Sequence, residues 1–193
     1  MTTERQPLRA DARRNREAIL AAAADLLGAR GDDAQMEEIA SHAGLGIGTV
    51  YRHFADKRSL VAAIVGRRFD AATELALAAE QLTDPAEAFE RLLYGYLESV
   101  EADSAFRRAL LGPQEPQWDA IAEQKAALGD VVQRVVARAV DAGVLRSDFD
   151  AEDFVLITRG AMANMTAEGH WRRHVQLQLE GVRPVPAGST RGP

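Results

Sequence analysis

The sequence predicts an all-α protein, and three observations predict this class. Apolar residues in 36–54 recur every three or four positions in two short runs separated by Gly44-Leu45-Gly46, the spacing of two helices joined at a tight corner. Alternating β-branched runs, which would indicate strands, are nearly absent from the 193 residues. Alanine, the best helix former, is abundant throughout.

The N-terminal elements follow from apolar stripes and their end signals. The first helix is predicted over Asp11–Ala29, with glycines close to its end. Helices 2 and 3 occupy the two short runs on either side of the glycine corner, which together form a helix-turn-helix. Asp56 is a suitable N-cap for a fourth helix that reaches about Gln81.

The remainder of the chain predicts five further helices, about nine in all. We expect an N-terminal three-helix helix-turn-helix domain followed by a C-terminal antiparallel helical bundle. Thr83-Asp84-Pro85 combines a capping residue with a proline at the first helical position. The segment 112–116, rich in glycine and proline, is the clearest break. The predicted helices are about Pro85–Ala102, Ser104–Leu111, Pro116–Ala142 (ending at Gly143), Ala151–Ala167 and His170–Glu180.

The outward face of helix 3 is the strongest functional signal. Gly48, Thr49, Arg52 and His53 are small, hydrogen-bonding or cationic, which suits a phosphate backbone and a major groove. Tyr51 is expected to be half core, with its hydroxyl free to reach a phosphate. The alternative is a structural hairpin with a solvated polar edge.

Charge distribution supports an N-terminal nucleic-acid contact despite a net charge of −6. Residues 1–70 carry 11 Lys/Arg and 10 Asp/Glu, so the acidic excess lies in residues 71–193. Five arginines in 5–16 stand against a single aspartate. We expect this cluster either to grip DNA or to act as a solubilising tail, and the sequence leaves both open.

Several classes of protein are disfavoured by composition. Without cysteine, disulfides, thiolate catalysis and thiolate zinc sites are excluded. The N-terminus has no apolar core of a signal peptide, and no apolar run of about 18 residues predicts a membrane helix, so a cytoplasmic protein is expected. His170 and His174 share a helix face with no completing ligand set, and no catalytic constellation is present. We therefore expect no metal, no cofactor and no enzyme.

The segment Asn15–Leu60 resembles the TetR family of bacterial transcriptional regulators. The similar stretches are NREAIL, LLGARG and MEEIASHAGLGIGTVYRHFADKRSL, in family order and spacing. The endings GVLRSDFDAEDFVLI and HWRRHVQLQLEGVRP resemble one C-terminal domain type of actinobacterial members. The resemblance implies a homodimer through the last two helices, a palindromic double-stranded DNA operator, a small-molecule effector and, most often, repression.

The resemblance also assigns candidate residues. Gln35 stands where the family often has a threonine that touches a phosphate, Gly46 where a serine often caps helix 3, and Ile47 where a basic or polar residue is frequent. The expected DNA-binding set is Gln35, Ile47, Gly48, Thr49, Tyr51, Arg52, His53 and Lys57. The apolar stripes of the later helices supply the expected effector set, although residues of this kind in a helical bundle are mostly core. This set is Phe89, Leu93, Tyr96, Trp118, Phe154 and Thr158.

We therefore expect four segments: a disordered basic arm (1–10), a helix-turn-helix DNA-binding domain (11–56), a ligand-binding and dimerisation domain (57–182) and a disordered tail (183–193). Helix 4 is expected to carry the effector signal. Two alternatives remain open: a ligand-insensitive regulator or activator, and an enzyme that retains the helical bundle.

Overall fold

The computed structural model describes residues 5–111, 116–166 and 168–183, without the side chains of 5–9, 32 and 116–118. Within that part of the chain, nine α-helices and two 3₁₀ segments occur and no strand does, so the all-α prediction is confirmed. The helices are α1 (Arg5–Arg30), α2 (Met36–His42), α3 (Ile47–His53), α4 (Lys57–Glu80), α5 (Pro85–Glu101), α6 (Ser104–Leu111), α7 (Ala122–Asp141), α8 (Ala151–Ala163) and α9 (Trp171–Val182).

Helix α1 begins earlier than its sequence predicts. It starts at Arg5 instead of Asp11, so residues 5–10 of the expected disordered arm are helical. Pro7 does not prevent this because it lies in the first turn, where a proline removes no intrahelical hydrogen bond. Residues 1–4 of the arm, and 184–193 of the expected tail, lie outside the described residues.

Two other helices differ from the prediction, one at its start and one at its end. The expected helix Pro116–Ala142 is a 3₁₀ segment, Pro116–Ile121, followed by α7. Helix α8 stops at Ala163 instead of Ala167, because Asn164 takes the C-cap position and its amide donates a hydrogen bond of 2.8 Å to the Gly160 carbonyl.

The chain divides into two compact units. Unit 1 comprises Met1–Arg68 and Ser104–Ala122, and unit 2 comprises Phe69–Asp103 and Glu123–Pro193. The division falls inside α4, whereas the sequence placed a boundary at residues 56–57. The first turns of α4 belong to unit 1 because Leu60 is fully buried in its core, and α6 belongs there because it packs on α1.

The core of unit 1 holds the helix-turn-helix together. Isolated helices of seven residues are unstable in water, and α2 and α3 each have seven. Each therefore buries one face against α1 and the start of α4. The largest side chains of this core with no exposed surface are Ile19, Ile39, Val50 and Leu60.

The corner between α2 and α3 depends on one glycine. Gly44 has φ +67°, and the amides of Gly44 and Leu45 donate to the carbonyls of Ser41 and Ala40 at 3.1 and 2.9 Å. These are the two hydrogen bonds of a Schellman cap, whose C′ residue is left-handed. Gly46, by contrast, is extended at φ −70° and ψ 143°, a conformation open to any residue.

In unit 2, arginines of α7 hold the C-terminal end of α4. The guanidinium of Arg138 donates to the carbonyls of Glu80 and Leu82, both at 2.9 Å, and Arg134 Nε donates to the Glu80 carboxylate at 2.6 Å. The Arg134 hydrogen bond lowers the pKa of Glu80. These contacts satisfy carbonyls that a helix end leaves unpaired and place cations at the negative end of the helix dipole.

The two corner glycines should respond oppositely to substitution. Gly44→Ala should lower the free energy of unfolding by about 1–2 kcal/mol, because a Cβ disfavours the left-handed conformation. Gly46→Ser should raise it by about 0.5 kcal/mol, since its position has free space and a serine hydroxyl caps an N-terminus better. Urea unfolding followed by circular dichroism measures both, and a Gly44→Ala protein as stable as the wild type would contradict the assigned role.

Candidate nucleic-acid interface

Helix α3 presents the predicted residues outward. Val50 is completely buried, and the opposite face carries Gly48 and Arg52, both exposed. Ile47 is 37% exposed and Tyr51 is 47% exposed. Thr49 and His53 lie half-buried at the edges. The period of the sequence thus separates the buried from the exposed face of α3, and all six predicted α3 residues lie on or beside the exposed one.

Arg52 lies along the surface of α3. Its Nε donates to the Gly48 carbonyl at 3.2 Å, and its Nη2 donates to the Thr49 hydroxyl at 3.0 Å. The charge is therefore held close to the helix on the side of Gly48 and Thr49. A guanidinium at this place is a donor for a phosphate or for the acceptor edge of a guanine.

Gln35, the N-cap of α2, is exposed and anchored locally. The Glu38 carboxylate accepts from the Gln35 backbone amide at 3.0 Å and from Arg30 at 2.6 Å, and these two hydrogen bonds lower the pKa of Glu38, the amide bond having the larger effect. The Gln35 side-chain amide donates to the Asp33 carbonyl at 3.1 Å. The carboxamide nitrogen thus helps to order the 3₁₀ turn before α2, and Gln35 and Glu38 form the capping box of that helix.

Lys57 is the half-buried first residue of α4 and follows a tightly hydrogen-bonded corner. The Ser59 amide donates to the Asp56 carboxylate at 2.7 Å, and the Ser59 hydroxyl donates to the Asp56 carbonyl at 2.8 Å. Hydrogen bonding from Ser59 lowers the pKa of Asp56. This corner places Lys57 at the start of α4, four residues after the last residue of α3, and its contact with a phosphate stays a prediction.

The N-terminal arginines are partly engaged within the protein. Arg14 pairs with Asp11, and the Arg16 guanidinium lies 4.6 Å from the centroid of the Phe54 ring. This cation–π contact ties α1 to the end of α3 and was not predicted from the sequence. Arg13 is exposed, whereas the side chains of Arg5 and Arg9 lie outside the described residues.

The expected effector residues of unit 2 meet in its interior. Phe89, Leu93 and Tyr96 of α5 and Phe154 and Thr158 of α8 are all buried. The Phe154 ring lies 6.4 Å from Phe89 and 6.3 Å from Tyr96, measured between centroids. Trp118 belongs to unit 1, in the 3₁₀ segment, and its side chain lies outside the described residues.

Two polar groups accompany these rings. The Thr158 hydroxyl donates within its own helix, to the carbonyls of Phe154 and Val155 at 2.9 and 3.0 Å. Burial raises the pKa of Tyr96 to about 12.

Two open clefts of unit 2 share Phe149, a residue that the sequence analysis did not select. One, of about 370 Å³, lies between α7 and the start of α8, and the other, of about 520 Å³, lies between α8 and α9. The Phe149 ring meets Phe89 edge-on at 5.9 Å. One sequence signal would have identified Phe149. It directly precedes the N-cap Asp150, which is the N′ position of a hydrophobic staple.

Helices α8 and α9 pack together and expose a separate apolar set. Val155 and Leu177 are each 51% exposed and Leu156 is 67% exposed. The resemblance implies a dimer through these last two helices. Phe154, Ala161 and Trp171 are buried within the protomer, and the Trp171 indole donates to Glu101 at 2.6 Å.

The histidine pair has no metal-binding surroundings in the described ranges, where no group of three His, Asp or Glu side chains is placed to hold a metal ion. His174 instead covers Gly160, where an added Cβ would lie 2.9 Å from the imidazole Nε2. Over the same residues, none of the helices combines the length and apolar character needed to cross a membrane.

Comparison with known proteins agrees with this architecture. Residues 19–64 match the family model for bacterial regulatory proteins of the tetR family, and residues 84–184 match that for the C-terminal domain of SbtR-like transcriptional regulators. The repressor BepR of Brucella suis is 26% identical over 190 residues, which cover 92% of this chain and 91% of BepR.

Solved structures give the same result. The TetR transcription regulatory protein of Mycobacterium vanbaalenii is 32% identical, with 92% of this chain and all of that chain covered at a TM-score of 0.66. AibR, solved with isovaleryl coenzyme A and operator DNA, shares the fold at 20% identity and a TM-score of 0.68, with 88% of this chain and 98% of AibR covered. The chain therefore belongs to the TetR family of transcriptional regulators, whose members are DNA-binding regulators and not enzymes.

Proposed function

We propose that this protein is a dimeric repressor that binds a palindromic operator and is released by a small molecule bound in unit 2. The observation that carries the proposal is the outward face of α3, a polar and cationic surface mounted on a fully buried core. Each protomer inserts α3 into a major groove, and the two grooves lie about one helical turn, ~34 Å, apart.

The DNA contacts divide by chemistry. Thr49 and Arg52 face base edges or phosphates from the exposed side of α3, while Gln35, Tyr51 and Lys57 reach phosphates from its margins. Gly48 allows close approach of the α3 backbone to DNA, because it is exposed and has no side chain. The acidic excess beyond residue 70 repels DNA and favours the approach of unit 1.

We infer a homodimer through α8 and α9. In a monomer, three apolar side chains are exposed to water: Val155, Leu156 and Leu177. A two-fold symmetric interface would bury each of them in both protomers, which is favourable. The 520 Å³ cleft, which Leu156 also lines, lies on this surface and becomes part of the interface.

The effector region consists of the buried rings of unit 2 with the Tyr96 phenol as the polar anchor. A mostly apolar site with few polar groups is typical of small-molecule binding. Isovaleryl coenzyme A in the structure of AibR makes acyl thioesters the first class to test.

Helix α4 is the proposed path of the signal. It contains residues of both units over 24 positions, about 36 Å. Arg134 and Arg138 hold its C-terminal end.

A ligand-insensitive regulator is the second candidate. Phe89, Phe149 and Phe154 pack with ring centroids 5.9 and 6.4 Å apart. The two clefts described above are not lined by any of the buried expected effector residues, which are Phe89, Leu93, Tyr96, Phe154 and Thr158. An effector must therefore separate these rings. Titration of thioesters of several chain lengths into the protein–DNA complex distinguishes the candidates, since failure of all of them to release DNA favours the second.

Arg52→Ala should weaken operator binding by about 1–3 kcal/mol if the guanidinium contacts a base. The fold should persist because the side chain is exposed. Fluorescence anisotropy at several salt concentrations measures the affinity, with Arg91→Ala on exposed α5 surface as the matched control. Equal affinities of the Arg52 variant and the wild type at every salt concentration would remove Arg52 from the interface.

Leu156→Glu should weaken the dimer about 100-fold or more, because symmetry buries the new carboxylate twice. Leu111→Glu changes another exposed leucine, on α6 of unit 1, and should leave the dimer intact. Sedimentation velocity at micromolar concentration separates the two variants. A stable Leu156→Glu dimer would show that the interface lies elsewhere.

Tyr96→Phe should raise the thioester concentration that releases half of the DNA by about two- to tenfold, since one buried hydrogen bond contributes about 0.5–1.5 kcal/mol. DNA affinity without thioester should be unchanged, because Tyr96 lies in unit 2. Competition binding with isovaleryl coenzyme A and longer thioesters provides the measurement. If a thioester releases both proteins from DNA at the same concentration, Tyr96 does not anchor it.

A further inference from the structure

Ile47 occupies an unusual environment for an isoleucine. It is the first residue of α3 and 37% of its surface is exposed. Gly46 and Gly48 flank it, and a Cβ added to either would meet nothing within 4 Å. The Ile47 side chain therefore stands on the outward surface without side chains on its two chain neighbours to shield it.

The exposed face of α3 has an apolar edge and a polar edge. Tyr51 lies one turn after Ile47 and is 47% exposed, so these two side chains share one edge. The Arg52 guanidinium bonds to the Gly48 carbonyl and the Thr49 hydroxyl, which keeps it on the other edge. Ile47 thus remains accessible to an incoming surface.

The chemistry of the major groove identifies the partner of this apolar edge. Phosphates and most base edges present hydrogen-bonding atoms, and an isoleucine side chain cannot form hydrogen bonds with them. Thymine presents its C5-methyl group there, which apolar side chains contact. Burial of a methyl group against an aliphatic side chain is favourable because both surfaces leave water.

We propose that Ile47 contacts the C5-methyl group of one thymine in each operator half-site and thereby specifies an A·T pair at that position. This inference rests on the proposed DNA-binding function and names the base read by one residue. The β-branched side chain suits the role, because it is stiff at χ1 and most of its surface is already packed, so contact costs little further ordering.

The expected size of the effect is set by one methyl group. Loss of its burial should weaken binding about fourfold per half-site, and about 15-fold when both half-sites are changed. Ile47→Ala removes the same contact from the protein side. The two losses should therefore overlap instead of adding, which a double-mutant cycle detects.

The experiment uses the full chain and a duplex selected from a random library. Each thymine of the selected site is replaced in turn by deoxyuridine, which lacks only the methyl group, and affinities are measured for wild type, Ile47→Ala and Ile47→Val. Thermal unfolding confirms that the variants fold. We expect one thymine per half-site at which deoxyuridine weakens the wild type about fourfold but leaves Ile47→Ala unaffected. Ile47→Val, which keeps the branched methyl groups, should retain most of the difference.

The outcomes separate this inference from the proposed function. If duplexes are selected but every deoxyuridine substitution affects wild type and Ile47→Ala equally, the assignment of Ile47 is wrong while DNA binding stands. If no duplex is selected, the DNA-binding proposal fails and the inference fails with it. Thymines distant from Ile47 serve as internal controls, because their effects should be the same in all three proteins.

Discussion

Burial of α2 and α3 against α1 is the contact on which the rest of unit 1 depends. Seven-residue helices do not persist alone, and each fully buried side chain such as Ile39 or Val50 contributes about 1.5–3 kcal/mol. Because that core uses one face of α3 completely, the opposite face remains free for DNA. Arg16 over Phe54 and Arg67 paired with Glu17 fasten α1 to its neighbours, so α1 supports the recognition surface in addition to supplying apolar area.

Polar contacts hold helix α4 at both ends, and the contacts at each end lie within one unit. In unit 1, Asp56 and Ser59 close the corner before its first turn. In unit 2, Arg134 and Arg138 bind the carboxylate and carbonyls at its end. Charge-assisted hydrogen bonds of this kind are directional. These contacts fix the backbone at each end of α4, and the proposed signal path along this helix depends on them.

Unit 2 uses apolar residues for two purposes that a sequence pattern does not separate. Phe154 and Trp171 face the interior, whereas Leu156 and Leu177 face outward on the same two helices. Apolar residues on both faces of α8 are a sign that both faces are covered in the functional state. Under the proposed function, the buried rings serve folding and effector binding, and the exposed leucines serve association of two chains.

The sequence by itself determined the helical class, the corner at Gly44, the cap at Asp84 and the outward face of α3. These features depend on dihedral preferences, hydrogen bonds and periodicity that act within a few residues. Tertiary structure alone decided that α6 and the start of α4 join unit 1, that Arg16 covers Phe54, that Phe149 lines both clefts, and which apolar residues of α8 stay exposed. Those outcomes depend on packing between residues distant in the chain, because the same apolar side chain can satisfy an interior or an interface, and only its neighbours in space distinguish the two.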